Sequence, residues 1–433
     1  MSSADFTIAS QQMRADWNAR SQKDAHYYVA FGGHGQSERD FMDSASEVLP
    51  VILEELPRLP RGGTGRRALE IGCGPGRLMR PMSKYFDEIH GVDVSDEMIA
   101  LARERLKETS AHVHATSGVD LGIFENNYFD FIYSCIVLQH IPDRDIVLNY
   151  LRESQRVLKP GGVLRCQLRG VAPPPSEMGV ESGTWTGCFF SAEDILRFAH
   201  QESFPLVALS GVDTQYMWAT FRNPVRSPGT SPGPVELLAV TSASGQGDSI
   251  PNRGREAAVS LWTAGMPESV SLADFRIMFG ERAQPGCYIS PVAESGACQV
   301  NAVLPKEMIP GRYDIRIDSD RLMTEGADSI EVVAALPLHP RLISVTDGIT
   351  LSSVRRIETG TVRLLIEDVC DPAACVFSVA GRRVSDLQSE YVEPITATWA
   401  FSFRLHRDTP RGRHVLRAAI AGAELEPVAI EIV

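Results

Sequence analysis

Residues 68–78 read Ala68-Leu69-Glu70-Ile71-Gly72-Cys73-Gly74-Pro75-Gly76-Arg77-Leu78. The apolar start reads as a buried strand, and three glycines at alternate positions follow it. From Leu78 to Phe86 the apolar residues then recur with helical spacing. Glycine accepts positive φ and carries no Cβ. A strand-to-helix turn made of glycines therefore lets a ligand approach the backbone, beside the N–H groups and partial positive charge of a helix N-terminus. The spacing narrows the choice of ligand. Dinucleotide sites use G-x-G-x-x-G, with the third glycine inside the helix. Here the pattern is G-x-G-x-G, Pro75 stiffens the turn, and Arg77 stands where the third dinucleotide glycine belongs. An acid, Glu70, precedes the first glycine.

Working outward, the next strand is Glu88-Ile89-His90-Gly91-Val92-Asp93-Val94, and Asp93 lies 17 residues beyond Gly76. A carboxylate at the end of a second parallel strand can accept two hydrogen bonds from a ribose diol. Ser95 is placed to cap the helix that follows, and Met98 to lie on a flat adenine face. Further on, Phe129 to Val137 is an apolar strand that runs into Leu138-Gln139-His140-Ile141, where Pro142 stops it. Ile146 to Leu158 has helical spacing, and Lys159-Pro160-Gly161-Gly162 turns it into a strand over Val163–Leu168.

Glu70, Gly72, Gly74 and Gly76 resemble motif I, E-x-G-x-G-x-G, of the class I S-adenosylmethionine-dependent methyltransferases. The Phe129–Pro142 stretch resembles that family's fourth strand and its following loop, and Arg156-Val157-Leu158-Lys159-Pro160-Gly161-Gly162 resembles its turn into the fifth strand. The resemblance covers about Trp17 to Arg222 and implies a Rossmann-like, doubly wound α/β sheet. It also implies S-adenosylmethionine as cofactor, held by Glu70, Gly72, Cys73, Gly74, Gly76, Asp93, Val94, Met98, Gly118, Val119, Asp120, Ser134 and Cys135. His140 falls in the loop between cofactor and acceptor, so it is the candidate catalytic residue, with the alternative that it only bonds backbone in that loop. An intrinsic pKa of ~6.5 would suit it as a general base. The family often closes its site with an N-terminal helix. Residues 1–56 are the corresponding lid, with Trp17, Tyr27 or Tyr28 facing the site, and Trp185 in the Pro/Gly-rich loop 170–191 borders the acceptor.

Asn223 to Pro234 is a linker by composition, so the boundary falls at 223–235. Beyond it the helical period disappears and short alternating strands take over: Ala258–Trp262, Phe275–Phe279, Tyr313–Ile317. Ile309-Pro310-Gly311-Arg312-Tyr313 resembles a stretch of TIG-type immunoglobulin-like modules, and Thr409-Pro410-Arg411-Gly412-Arg413-His414 echoes it. Two immunoglobulin-like β-sandwiches are therefore expected, at 236–336 and 337–433, with Trp262 and Trp399 as core residues and, as the alternative, exposed sugar platforms. Such modules bind a glycan, join two copies into a homo-oligomer or act as spacers, and the sequence leaves the three open.

Composition sets the outer limits. The net charge of −13 over 433 residues argues against nucleic acid as partner. No apolar run approaches the ~20 residues of a membrane span, and no charged and apolar leader opens the chain, so a cytoplasmic location is the expectation. The eight cysteines include Cys287 with Cys298 and Cys370 with Cys375, each pair able to close a short loop, but free thiols are the expectation, and their spacing suggests no metal site. The sequence thus predicts methyl transfer from S-adenosylmethionine to an oxygen or nitrogen of a small molecule or glycan. The alternative is a non-catalytic S-adenosylmethionine-binding or scaffold protein whose β modules do the binding.

Overall fold

The computed structural model describes residues 3–30, 35–60, 64–172, 183–225, 233–245, 249–254, 256–306, 308–335, 339–348, 355–369, 371–393 and 398–433. Most of the expected linker, much of the loop before Trp185, and Cys370 lie outside them. Seven strands form the α/β sheet: β1 (Arg67–Ile71), β2 (Glu88–Asp93), β3 (Ala111–Ala115), β4 (Phe129–Ser134), β5 (Leu158–Leu168), β6 (Leu206–Ser210) and β7 (Met217–Arg222). Their order is 3-2-1-4-5-7-6; β7 runs antiparallel to its neighbours β5 and β6, and the other six strands share one direction. The helices are α1 (Ser3–Ala30), α2 (Glu38–Asp43), α3 (Ala45–Leu53), α4 (Met79–Met82), α5 (Asp96–Leu106), α6 (Arg144–Val157), α7 (Gly183–Thr186) and α8 (Ala192–Gln201).

The central strands are buried on both faces, as near-continuous apolar runs in a covered parallel sheet require. Alternate residues serve opposite cores. Ala68, Phe131 and Val163 join Ile99, Ala102 and Leu106 of α5 on one side. Leu69, Ile132 and Leu164 join Ile146, Val147 and Leu151 of α6 on the other. This is a doubly wound layer architecture.

Two local expectations change. The helix after the glycine turn is a single turn, Met79–Met82. So short a helix aligns few peptide dipoles, and the expected helix-terminal charge beside the glycines is largely lost. At the N-terminus, by contrast, the chain is helical from Ser3 onward, ahead of the stretch from Trp17 that the resemblance covers, with a break at Asp24 (φ −170°, ψ 87°). This helix's hold on the domain is apolar and polar together: Met13 joins the core, with Phe6, Ala9 and Trp17 packed against it. Ser10, Arg14, Asn18 and Gln22, spaced by four, bond respectively to Ser117 O, to Asp96 and Thr116 O, to Ser95 Oγ, and to Glu97.

The strand-rich second half divides into two units. In the first, Tyr288 pairs antiparallel with Ala208 of β6. The sheet continues from there through strands Ala297–Val303 and Ala258–Ala264 to β8 (Val235–Ser242). The composition break at 223–235 is thus no break in the sheet, and residues from Val235 to Val332 share one continuous core with Leu206, Leu209 and Phe221. The second unit has its own core, with Val362, Leu364 and Phe401 from one sheet facing Phe377, Leu416 and Ile430 from another. Trp262 lies outside the core at 40% exposure, because it alternates with Leu261 and Thr263, both fully buried. Trp399 packs at the margin of the second core. Cys287 and Cys298 are free thiols. Among the described residues no helix is long and apolar enough to cross a membrane, and no group of three or more His, Cys, Asp or Glu could hold a metal.

Candidate active site

A pocket of about 860 Å³, its open mouth included, lies at the carboxyl ends of β1, β2 and β4 and beneath α1. Ligands of open α/β sheets bind at this end. The glycines of the turn all have positive φ: Gly72 71°, Gly74 50°, Gly76 84°. They do different work. Gly72 and Gly74 line the pocket. A Cβ on Gly74 would make only ordinary contact, 3.6 Å from Val29 of α1, so backbone conformation rather than space demands glycine there. Gly76 is off the wall, and a Cβ on it would press on Leu106 of α5 at 2.8 Å.

Asp93 joins two walls. Its Oδ2 accepts from Gly74 N at 2.9 Å and its Oδ1 from Ser95 N at 2.8 Å. Each oxygen keeps a further lone pair. Burial raises its pKa, and the backbone N–H groups of Ser95, Gly74 and Val94 offset part of that rise. Glu70 is 3% exposed and accepts from Tyr133 Oη at 2.9 Å. Burial pushes its carboxyl up to about 8, against the opposing pull of Tyr133 and Arg77. Val94, Met98 and Gly118 complete this end, as do two residues the sequence reading missed, Met13 and Tyr150. Burial also raises the Tyr150 hydroxyl. Only the apolar stripe of α6, of which Tyr150 is part, hinted at it.

At the other end the loop after β4 is strained. Ile136 has φ 56°, costly for a β-branched residue and the kind of outlier that functional loops retain. Its N–H is fixed by Gln167 Oε1 at 2.9 Å, and Gln167 also donates to Gln139 Oε1 at 2.8 Å. His140 follows, 5% exposed, with Nδ1 2.5 Å from the Trp185 carbonyl. A carbonyl only accepts, so Nδ1 carries the proton and Nε2 is left as the acceptor, with the Gln139 amide nitrogen 3.5 Å from it. Burial lowers the ring's pKa to about 4, with Arg20 and Arg169 acting the same way, which replaces the ~6.5 assumed from sequence. Trp17 meets the His140 ring edge-on at 5.6 Å, Trp185 lies 5.3 Å from it, and Tyr28 meets Trp185 at 5.7 Å. Arg20 stacks over Trp17 and Trp185 and donates to Thr184, which in turn donates to Asp16, tying α1 to α7.

Of the remaining candidates, Cys73 and Cys135 line the pocket. Tyr27 packs edge-on behind Tyr28 instead of facing the cavity. Ser134 Oγ donates to Ile71 O, joining β4 to β1. Val119 and Asp120 are off the wall, since Val119 O accepts from Asn149 and Asp120 from Gly122 N. Their backbone turns away after Gly118, where a Cβ would strike Val94 at 2.6 Å.

Residues 69–166 match a family model described as a methyltransferase domain. Over 109 residues the chain is 35% identical to phosphoethanolamine N-methyltransferase 2 of Caenorhabditis elegans, covering 24% of each chain. Over 146 residues it is 27% identical to a ubiquinone biosynthesis O-methyltransferase of Cereibacter sphaeroides, covering 33% of this chain and 58% of that one. The chain therefore spans about a quarter of the first relative's length and less than two thirds of the second's. A solved structure, phosphoethanolamine N-methyltransferase 2 of Haemonchus contortus with S-adenosylmethionine, is similar with 22% identity and a TM-score of 0.34, over 41% of this chain and 53% of that one.

Proposed function

We propose that the chain is a class I S-adenosylmethionine-dependent methyltransferase that moves a methyl group to an oxygen or nitrogen of a small molecule. S-adenosylmethionine is its cofactor. The observation that carries this reading is Asp93, whose two oxygens each hold one backbone N–H and keep one lone pair apiece for a ribose diol. The rest of the wall fits the same molecule. Glu70 is a buried carboxyl that an adjacent sulfonium or ammonium would favour in its charged form. Gly72, Cys73 and Gly74 present backbone beside it, while Val94, Met98, Gly118 and Tyr150 form a slot for a flat base.

When bound, the cofactor supplies a methyl group already activated by its sulfonium. The residues of this chain bind, orient and exclude water, and alignment of that kind is worth several powers of ten in rate. Trp17 and Tyr28 close over the acceptor end, with Trp185 packed against Tyr28 and His140 but off the pocket wall, which supports a small acceptor over a polymer such as a glycan. His140 is neutral near pH 7, and its Nε2 accepts a hydrogen bond from the acceptor's hydroxyl or amine, turning the nucleophile's lone pair toward the methyl. A ring with a pKa of about 4 is too weak a base to remove the proton first, so its contribution is orientation.

Calorimetric titration of the full chain tests this. S-adenosylhomocysteine is expected to bind, NAD not, and Asp93→Ala to weaken binding about 10–100-fold, as loss of bonds to a charged group does. Binding of NAD in place of S-adenosylhomocysteine, or an Asp93→Ala protein that binds unchanged, overturns the reading.

The two strand-rich units, 236–336 and 337–433, are read here as immunoglobulin-like repeats. Support comes from matched corners. Tyr313 Oη donates to Ile309 O at 2.9 Å, and His414 Nε2 lies 2.7 Å from Pro410 O, each side chain reaching four residues back at the start of a long strand. A ring bonded upstream in this way is a known corner of such sandwiches. The first unit extends the catalytic sheet and serves as its edge cover.

A further inference from the structure

A second cleft, with about 520 Å³ of empty space, its open mouth included, lies where the α/β domain meets the first strand-rich unit. Its walls come from the turn after α3, from β6 and β7, from the loop 266–270 and from the hairpin 289–298. Two guanidinium groups line it. Arg58 is 7% exposed; its Nε is taken by Glu55 and its Nη1 by Ile289 O at 2.6 Å. Its Nη2 has no hydrogen-bond partner among the described residues. Nor has the buried Nε of Arg222, whose Nη2 stands 3.6 Å from Glu268, a side chain 63% exposed. Buried donors of charged groups are costly to leave unpaired, and native proteins rarely do so without a reason.

The charges around the cleft point the same way. Glu55, whose side chain is 4% exposed, is shared between Arg58 and Arg165, and it also accepts from Thr220. Arg165's other carboxylate, Glu54, is 56% exposed. The junction thus buries or half-buries three guanidinium groups around one buried carboxylate, with the remaining acids at the surface, where water screens them.

We propose that this cleft binds a small oxyanion, a carboxylate or phosphate group carried by a metabolite, between Arg58 and Arg222. Each guanidinium offers one open donor, Arg58 Nη2 and Arg222 Nε, and a carboxylate or phosphate presents more than one oxygen to meet them with charge-assisted hydrogen bonds. Val207, Val270 and Ile289 leave room for only a short apolar body beside the charged group. The bound anion bridges β7 and the turn after α3 to the hairpin of the β unit, so it ties the two parts of the chain together. The site is separate from the pocket beneath α1 and does not depend on its assignment.

The test is calorimetry and thermal unfolding of the full chain with sodium phosphate, sodium succinate and sodium chloride at matched ionic strength. A saturable heat and a rise in unfolding temperature are expected with phosphate or succinate, and not with chloride. Response to phosphate alone identifies a phosphate ligand, and response to succinate alone a carboxylate. Arg58 is buried and its loss would disturb folding, so the variants are Arg222→Gln and Arg222→Lys. The first is expected to weaken the anion about tenfold or more, and the second less, while S-adenosylhomocysteine binding stays as in the parent protein. Equal responses to all three salts, or an Arg222→Gln protein that titrates like the parent, overturns the proposal.

Discussion

The two ends of the pocket are built on different principles. The proposed cofactor end is local: backbone at Gly72–Gly74 and carboxylates at Glu70 and Asp93, all within two consecutive βα turns. The acceptor end is assembled from a distance. Trp17 and Tyr28 come from α1, His140 from the loop after β4, and the Trp185 carbonyl that orients it from beyond a long loop. A donor shared by many enzymes can be held by a fixed backbone cradle, whereas an acceptor is selected by side chains that vary freely on the surrounding elements. The comparison requires that changes at one end leave the other nearly untouched.

The largest expected separation is at His140. His140→Gln keeps an amide near the Trp185 carbonyl but loses the ring acceptor at Nε2. It is expected to lower kcat about 100-fold with the true acceptor, within the range of a positioned polar group, while the affinity for S-adenosylhomocysteine changes less than about threefold. Because burial holds the ring near a pKa of about 4, the parent enzyme's rate should show no inflection between about pH 5.5 and 7. An inflection near the ordinary value of ~6.5 that vanishes in the variant would restore the general base expected from sequence.

Next in size is Trp17→Ala. It opens the aromatic cover while leaving the polar ties of α1 at Ser10, Arg14, Asn18 and Gln22 in place. A loss of about 30-fold in kcat/KM for the acceptor is expected, the size of one displaced aromatic contact and its excluded water. An equal loss in cofactor affinity would mean that α1 serves both ends as one unit, and the comparison would fail.

The same division explains what was legible in the sequence. The cofactor end could be read because its demands are local. A φ near +50° to +84° at three alternate positions calls for glycine, and a carboxylate that bonds the turn after β1 sits at the end of the adjacent strand β2. The strands and the doubly wound class followed from apolar runs and turn residues. The part of α1 before Trp17 escaped because the helix joins a polar stripe, Ser10-Arg14-Asn18-Gln22, to apolar Phe6, Ala9, Met13 and Trp17, so no sharply apolar face marks it in the sequence. The pKa of His140 escaped because it depends on burial beneath α1 and α7, which no local pattern encodes. Tyr27 was grouped with Tyr28 since adjacent aromatics look alike in sequence, but neighbours on a helix point about 100° apart, and only Tyr28 faces the cavity. The fused edge at Tyr288 and Ala208 escaped too, because a Pro/Gly-rich stretch marks a change of composition without telling whether sheets join across it.

The smallest effect expected falls at Glu70, and it bears on whether the cofactor end carries charge of its own. Its folded-state pKa of about 8 lies above the ordinary carboxylate value, with burial the main cause. The sign follows from linkage: the free protein's stability from this group is present below the unfolded pKa and is lost as pH rises through about 8. A bound sulfonium favours the charged carboxylate, so binding releases a proton at neutral pH and tightens as the carboxyl ionises. Affinity for S-adenosylmethionine should therefore rise about tenfold between pH 7 and 9. Titration in buffers of different ionisation enthalpy should register the released proton. Glu70→Gln should abolish both the proton release and the rise in affinity, and the variant's unfolding temperature should fall less between pH 6 and 9 than the parent's. If the variant retains the full pH dependence, the charge that meets the sulfonium lies elsewhere, and Asp93, tied to two backbone donors and also raised by burial, is the group left at that wall to supply it.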